Sequence, residues 1–212
     1  MRKFKFYIIL DYNVTEKTAV FIYGDYQHLD GDGNANITTV YSLRGGFKTF
    51  TTDKFTLRAG VGTMFSEVDT LNGTGTNSDT SFNFYAQGGW HTSEKIELVA
   101  SARNFMKVAS DVRNNAREIT EFSVGTNYNI SKSLRLNATG AYAVDEYVNQ
   151  VAYNGDFRTR KMKMWMGRAR LTYTPPVDYL AVYIEGQYSY VDDDLYEDYE
   201  QYRVSVGVKL WY

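Results

Sequence analysis

The 212-residue sequence predicts an all-β fold: an antiparallel up-and-down meander of membrane-spanning strands closed into a barrel, in one domain over 1–212. Three observations carry that expectation. Apolar residues recur with a period of two rather than 3.6, and short turns alternate with long polar loops. The alternating segments run to about 10–13 residues, where soluble strands centre on roughly 5–6 and a membrane strand needs about 9–11. No stretch of about 18 apolar residues occurs, so no transmembrane helix can be drawn. The mean hydropathy of −0.43 therefore excludes only a helical membrane protein.

The opening Met1-Arg-Lys-Phe-Lys-Phe-Tyr-Ile-Ile-Leu10 has the basic front of a signal peptide. Lys5 interrupts its apolar run and Asp11 ends it with no small-residue cleavage site, so 3–12 reads as a strand. A Thr15-Glu-Lys-Thr18 turn leads to a second strand over 19–29. In 37–48, Thr39, Tyr41, Leu43, Gly45 and Phe47 form one row against Val40, Ser42, Arg44, Gly46 and Lys48. In 55–67, Phe55, Leu57, Ala59, Val61, Thr63 and Phe65 oppose Thr56, Arg58, Gly60, Gly62 and Met64; a helix would put Arg58 and Val61 on one face. Strands 81–91 and 96–108 continue the apolar row from Phe82 to Trp90 and from Ile96 to Ala102. Strands 119–130 and 134–147 carry it from Phe122 to Ile130 and from Leu134 to Val144. The last three strands, 161–173, 180–191 and 199–212, carry it on Trp165 to Tyr173, Leu180 to Tyr190 and Tyr202 to Tyr212. None of these row positions is charged.

The partner rows hold Arg44, Arg58, Arg103, Arg135, Arg168, Arg170 and Arg203, with His91, Glu97, Glu121, Asp145, Glu185 and Lys209. Short turns of one chemistry recur at Thr52-Asp-Lys54, Thr92-Ser-Glu-Lys95, Ile130-Ser-Lys-Ser133 and Thr174-Pro-Pro-Val-Asp178. Long polar loops lie between them, at 30–36, 69–80, 111–118, 149–159 and 192–198. The repeat is a hairpin of about 40 residues with one rim of short turns and one of long loops. Aromatic residues at strand ends (Tyr12, Trp90, Tyr128, Tyr173, Tyr188, Tyr190, Tyr212) suit headgroup-level girdles, which a soluble sandwich has no use for.

The terminal Ser205-Val-Gly-Val-Lys-Leu-Trp-Tyr212 runs polar, any, Gly, any, any, hydrophobic, any, aromatic. This resembles the C-terminal signal read by the barrel-assembly machinery of bacterial outer membranes, with Ser205, Gly207, Leu210 and Tyr212 in the matching positions and Tyr in place of the usual Phe. The whole chain resembles porin-like outer-membrane β-barrel proteins. Its Tyr-x-Ile/Phe, Ser/Thr-Lys, Leu-x-Leu hairpins are similar to those of bacterial β-barrel porin families and, more weakly, of MtrB/PioB-type sheath barrels around multihaem cytochromes. The resemblance implies an integral protein of the Gram-negative outer membrane, in contact with the bilayer and lipopolysaccharide. Single-chain bacterial barrels have even strand numbers, whereas eleven strands are counted here. With the last strand ending on the periplasmic side, the count predicts that at least one upward strand and a signal peptide precede this sequence, for a barrel of twelve strands or more.

Composition narrows the function. With 23 Lys plus Arg against 25 Asp plus Glu, the net charge of −2 gives no reason to expect a nucleic acid partner. The absence of Cys excludes disulfides, thiol catalysis and thiolate-held metals. Asp30-Gly-Asp-Gly-Asn34 opens like a calcium loop, but Ala35 and Tyr41 stand where Gly and Glu are required, so it reads as a hairpin loop. His28 and His91 have no Ser–His–Asp pattern around them. The acidic run Asp192 to Glu200 reads as a solvated outer loop, or as a divalent-cation bridge to lipopolysaccharide or a cation-attracting mouth. The expectation is a passive, porin-like channel for small polar or anionic solutes, without catalytic residues, metal or cofactor. Arg44, Arg58, Arg103, Arg135, Arg168, Arg170, Arg203, Glu97, Glu121 and Glu185 line it. The alternatives are a lumen filled by paired charges, hence a scaffold or sheath for a partner, and a barrel enzyme.

Overall fold

The computed structural model describes residues 2–30, 37–69, 76–108, 116–148, 151–153, 156–176 and 180–210. In chain order the strands are β1 (Arg2–Asn13), β2 (Thr18–Asp30), β3 (Ile37–Thr52), β4 (Phe55–Asp69), β5 (Thr76–His91), β6 (Ile96–Val108) and β7 (Ala116–Asn129). They continue with β8 (Leu134–Tyr147), β9 (Val151–Tyr153), β10 (Asp156–Arg158), β11 (Lys161–Tyr173), β12 (Leu180–Asp193) and β13 (Tyr199–Leu210). β9 and β10 pair only with each other; the other eleven form one antiparallel sheet in sequence order. The expected strands are all present, and no helix occurs among the described residues.

Three boundaries differ from the expected ones by three residues or more, β7 among them, which begins at Ala116 rather than 119. β3 continues to Thr52, and β5 begins at Thr76, inside a segment expected to be loop. Thr76-Asn-Ser-Asp-Thr80 has no apolar alternation to announce a strand, yet it pairs residue for residue with Phe65–Asp69 of β4. The long 149–159 loop also contains the β9–β10 hairpin, too short to leave a period.

The short turns are closed by their own sequence. Thr15 Oγ1 accepts hydrogen bonds from the Lys17 and Thr18 amides at 3.2 and 3.0 Å, Ser93 Oγ from Lys95 and Ile96 at 3.3 and 3.2 Å, and Ser131 Oγ from Ser133 and Leu134 at 3.2 and 3.1 Å. A hydroxyl that satisfies the amides two and three residues on stabilises a tight reversal at little entropic cost, which explains the recurring Ser/Thr chemistry.

The sheet has two unlike faces. One presents the charge-free rows: Leu43, Val61, Phe82, Val124 and Val206 are 58, 59, 60, 65 and 71% exposed. Aromatic residues bound this apolar band. Tyr142, Trp165 and Tyr190 sit in register on β8, β11 and β12, with ring centroids 5.2 and 5.7 Å apart. Beyond them toward the long loops come the outward ion pairs Lys163–Asp192 (3.5 Å) and Lys161–Glu146. At the turn end lie Tyr173 and the cross-strand pair Phe55–Trp90. Trp165 to Tyr173 is eight residues, about 26 Å along the strand at ~3.3 Å per residue, and strand tilt reduces this to a height close to the roughly 25 Å band of outer-membrane barrels.

The other face is concave: residues of β2, β3 and β4 meet residues of β6 and β7 across it. Toward the long loops it is filled. The β5–β6 ladder ends at Tyr85–Arg103, while β6 continues to pair with β7 as far as Val108–Ala116. Freed from β5, this end of the β6–β7 hairpin packs Met106, Val108 and Ala116 against Leu29, Val40 and Met64, all 3% exposed or less. Gln27 Nε2 donates to the Met106 carbonyl at 3.4 Å, and Ser81 Oγ and Asn104 Nδ2 donate to Glu118 at 2.6 and 2.8 Å. A second cluster, Tyr147, Met162, Val191 and Leu195, covers the same end of β8, β11 and β12. The eleven strands give β1 and β13 the same direction. Their described residues pair on one side only, with β2 and β12.

Candidate functional site

Toward the short turns the concave face stays polar, and the ten residues expected to line a lumen all lie in its rows. Arg44, Arg58, Arg103 and Glu97 sit on β3, β4 and β6; Glu121 and Arg135 sit on β7 and β8; Arg168, Arg170, Glu185 and Arg203 sit on β11, β12 and β13. Strand alternation places them opposite the apolar band.

Only some of these charges are paired. Arg103 meets Glu121 across the β6–β7 ladder with two parallel bonds of 3.0 Å, the fork geometry that suits guanidinium and carboxylate. Arg170 Nε donates to Glu185 at 2.7 Å, and its guanidinium lies 4.5 Å from the Tyr183 ring. Glu97 takes a 2.8 Å bond from Asn127, which in turn accepts one of 2.6 Å from Asn137, and lies 3.7 Å from His91 Nε2. Arg135 Nε donates to the neutral Asn129 at 2.9 Å. Arg168 and Arg203 flank Gln187 in register on β11 and β13. Among the described residues no carboxylate lies within ion-pair distance of Arg44, Arg58, Arg135, Arg168 or Arg203. Complete pairing across the interior, the alternative to an open polar lumen, does not occur among the described residues of this half.

The other half does bury two ion pairs, made by Asp145, which lies in the rows read from the sequence, and by Arg117, Arg160 and Asp193, which do not. Asp145 and Asp193 have fully buried side chains and meet Arg117 at 3.2 Å and Arg160 at 3.0 Å. Arg160 also donates to the Tyr147 hydroxyl at 3.1 Å and lies 4.6 Å from the Tyr196 ring. The acidic outer loop is therefore not wholly solvated: Asp193 is part of the core, and Asp198 accepts hydrogen bonds from the Tyr190 hydroxyl (2.8 Å) and the Asp193 amide (3.2 Å). Arg160 sits in a connection outside any alternating row, so only coordinates could join it to Asp193.

The remaining candidates separate. His28 lies in the outward row, with Nδ1 3.0 Å from Thr39 Oγ1 and its ring stacked on Tyr26, far along the sheet from His91. Residues 31–36 of the calcium-like loop lie outside the described residues, 37–41 belong to β3, and no group of three or more potential metal ligands occurs among the described residues. Of the terminal signal, Ser205 and Gly207 face inward and Leu210 outward; Tyr212 lies outside the described residues. The outer end of the Tyr183 ring lies over Gly207 where a Cβ would stand, so a larger residue there must displace that ring. Two shallow grooves, of about 550 and 740 Å³, lie mainly among Ala, Gly and aromatic residues of the apolar face; the first has no charged lining residue, and the second is also bordered by Arg168, Gln187 and Arg203.

No protein-family model matches the chain, and no curated protein matches its sequence. Solved structures do. The FrpB iron transporter from Neisseria meningitidis aligns over 87% of this chain and 34% of its own, with a TM-score of 0.67 and 14% identity. The outer membrane channel DcaP of Acinetobacter baumannii aligns over 97% and 62%, at 0.64 and 16%. A Pseudomonas aeruginosa FadL homologue aligns over 96% and 65%, at 0.58 and 11%. The fold is that of outer-membrane β-barrel proteins. The chain spans about a third of the length of FrpB and somewhat under two thirds of DcaP.

Proposed function

We propose that this chain forms the wall of an outer-membrane channel that passes small polar solutes passively and favours anions. The observation that carries the reading is the unbalanced cationic charge on the turn-side half of the concave face. Two of its seven arginines are paired with carboxylates, and the others face neutral groups. In a water-filled lumen with a low-dielectric wall their field would concentrate anions, and rings of arginine select for them. That DcaP is an outer membrane channel and FrpB an iron transporter supports a transport role; the solute rests on the arginines alone. The chain is read as a channel rather than an enzyme because its two histidines belong to opposite faces. Ser205, Gly207, Leu210 and Tyr212 are assigned to recognition by the assembly machinery, and the apolar band to contact with lipid.

A second reading has its own support. The clusters around Met106 and Tyr147, with two buried ion pairs, fill the long-loop end and would suit a plugged scaffold or a sheath for a partner. Planar-bilayer recording of the refolded protein under a KCl gradient decides between them. The channel reading predicts discrete conductance with an anion-selective reversal potential that moves toward cation selectivity in an Arg168→Gln/Arg203→Gln variant. A folded protein that never conducts supports the scaffold.

A further inference from the structure

Two guanidinium groups on the concave face are held in a way the others are not. Toward the short turns the face offers a worked pattern twice: Arg103 stacks 4.7 Å from Phe105 and meets Glu121, and Arg170 stacks 4.5 Å from Tyr183 and meets Glu185. Each time an aromatic ring holds the arginine and a carboxylate of the chain takes its N–H donors. Arg44 and Arg58, on neighbouring strands, have the rings without the carboxylate. Arg44 lies 4.9 Å from the Tyr23 ring and 5.2 Å from Tyr85; Arg58 lies 4.6 Å from Phe21 and 5.6 Å from the same Tyr85. The nearest acid on β2, Asp25, accepts from Gln27 at 2.8 Å and is not within ion-pair distance of Arg44. The Arg44 fork has one neutral acceptor, Asn83 Oδ1, at 3.2 Å, and Nε of both arginines is enclosed with no hydrogen-bond partner.

The backbone is shaped for this cradle. Gly46 and Gly60 are paired across β3 and β4, and a Cβ on them would stand 2.5 and 3.0 Å from Phe21 Cζ. Phe21 therefore lies on a two-glycine floor, and Arg58 lies on Phe21. The rings fix the two side chains before any ligand arrives, so little rotamer freedom remains to be lost on binding. Two like charges beside one ring repel each other, and each guanidinium keeps terminal N–H donors that no carboxylate among the described residues takes.

We propose that Arg44 and Arg58, cradled by Phe21, Tyr23 and Tyr85, bind a small oxyanion, the carboxylate or phosphate group of a solute, in the place that Glu121 and Glu185 occupy at the other two sites. The inference rests on the reading that this half of the concave face is open to water. Titration calorimetry of the refolded chain in zwitterionic detergent at low chloride tests it, with inorganic phosphate in one arm and acetate in the other. Saturable binding at one site per chain is expected in at least one arm, and the stronger arm identifies the group. Arg44→Gln and Arg58→Gln should each weaken binding at least tenfold, and Arg58→Lys, which keeps the charge and loses the fork, should weaken it several-fold. Lys132→Gln, which removes one positive charge from an exposed turn, should leave it unchanged. Heat-modifiable gel mobility and β-sheet circular dichroism select variants that have folded; should either Gln variant fail this test, the Lys variant at that position carries the comparison. The proposal is overturned by absence of saturable binding in both arms, or by binding that survives folded substitutions at both arginines. Conductance without binding would defeat the cradle and leave the channel; binding without conductance would do the reverse.

Discussion

The contrast between Gly207 and Gly186 shows how a single residue is fixed by what lies over it. Gly207 faces inward beneath the Tyr183 ring, whereas a Cβ on Gly186, in the outward row, would meet nothing within 4 Å. Gly207→Val should therefore destabilise the folded state by about 1–3 kcal/mol through overpacking, and Gly186→Val should cost little. Urea unfolding in vesicles measures both. The ion pairs divide in the same way. Asp193 is fully buried against Arg160, so Asp193→Asn strands a buried charge and should cost about 3–5 kcal/mol. Arg103, nearly half exposed, gives its pair with Glu121 a worth of about 0–1 kcal/mol, so Glu121→Gln should barely move the midpoint. A large loss at Glu121 and none at Asp193 would mean that the two ends of the concave face have been read the wrong way round.

Among the elements, β6 behaves as two pieces. Up to Arg103 it is paired on both sides; from Asn104 to Val108 it pairs with β7 alone and turns Met106 and Val108 into the interior. Met106→Ala removes a buried side chain from a cluster with little room to collapse and should cost about 2–5 kcal/mol. Amide exchange should accelerate over 104–108 and 116–120 and stay unchanged over 96–102; uniform acceleration along β6 would contradict the division. Period two marks every strand whose sides face different solvents, which is why eleven strands and both rows are legible in the sequence. The period has nothing to say where both sides of a strand are polar, as in Thr76–Thr80, or where a row turns inward to meet protein, as at Asn104–Val108. The seven row arginines are legible for the same reason. Their partners are not: Arg103–Glu121 requires the register between two strands, and Arg160–Asp193 joins a connection to a strand end.

For the whole molecule the central claim is that one face of this sheet meets lipid and the other meets water and charge. Eleven antiparallel strands with an uncharged band bounded by Trp165 and Tyr173 make an outer-membrane wall; the same strands in water would expose Phe82, Val124 and Val206 with nothing to cover them. The most direct test is the free energy of folding into lipid bilayers for arginine placed at two adjacent positions of β7. Val124→Arg sets a charge in the apolar band and should cost about 2–4 kcal/mol relative to the parent chain, whereas Ser123→Arg adds one more cation to the concave face and should cost well under 1 kcal/mol. Equal penalties at the two positions, or a larger one at Ser123, would contradict the account.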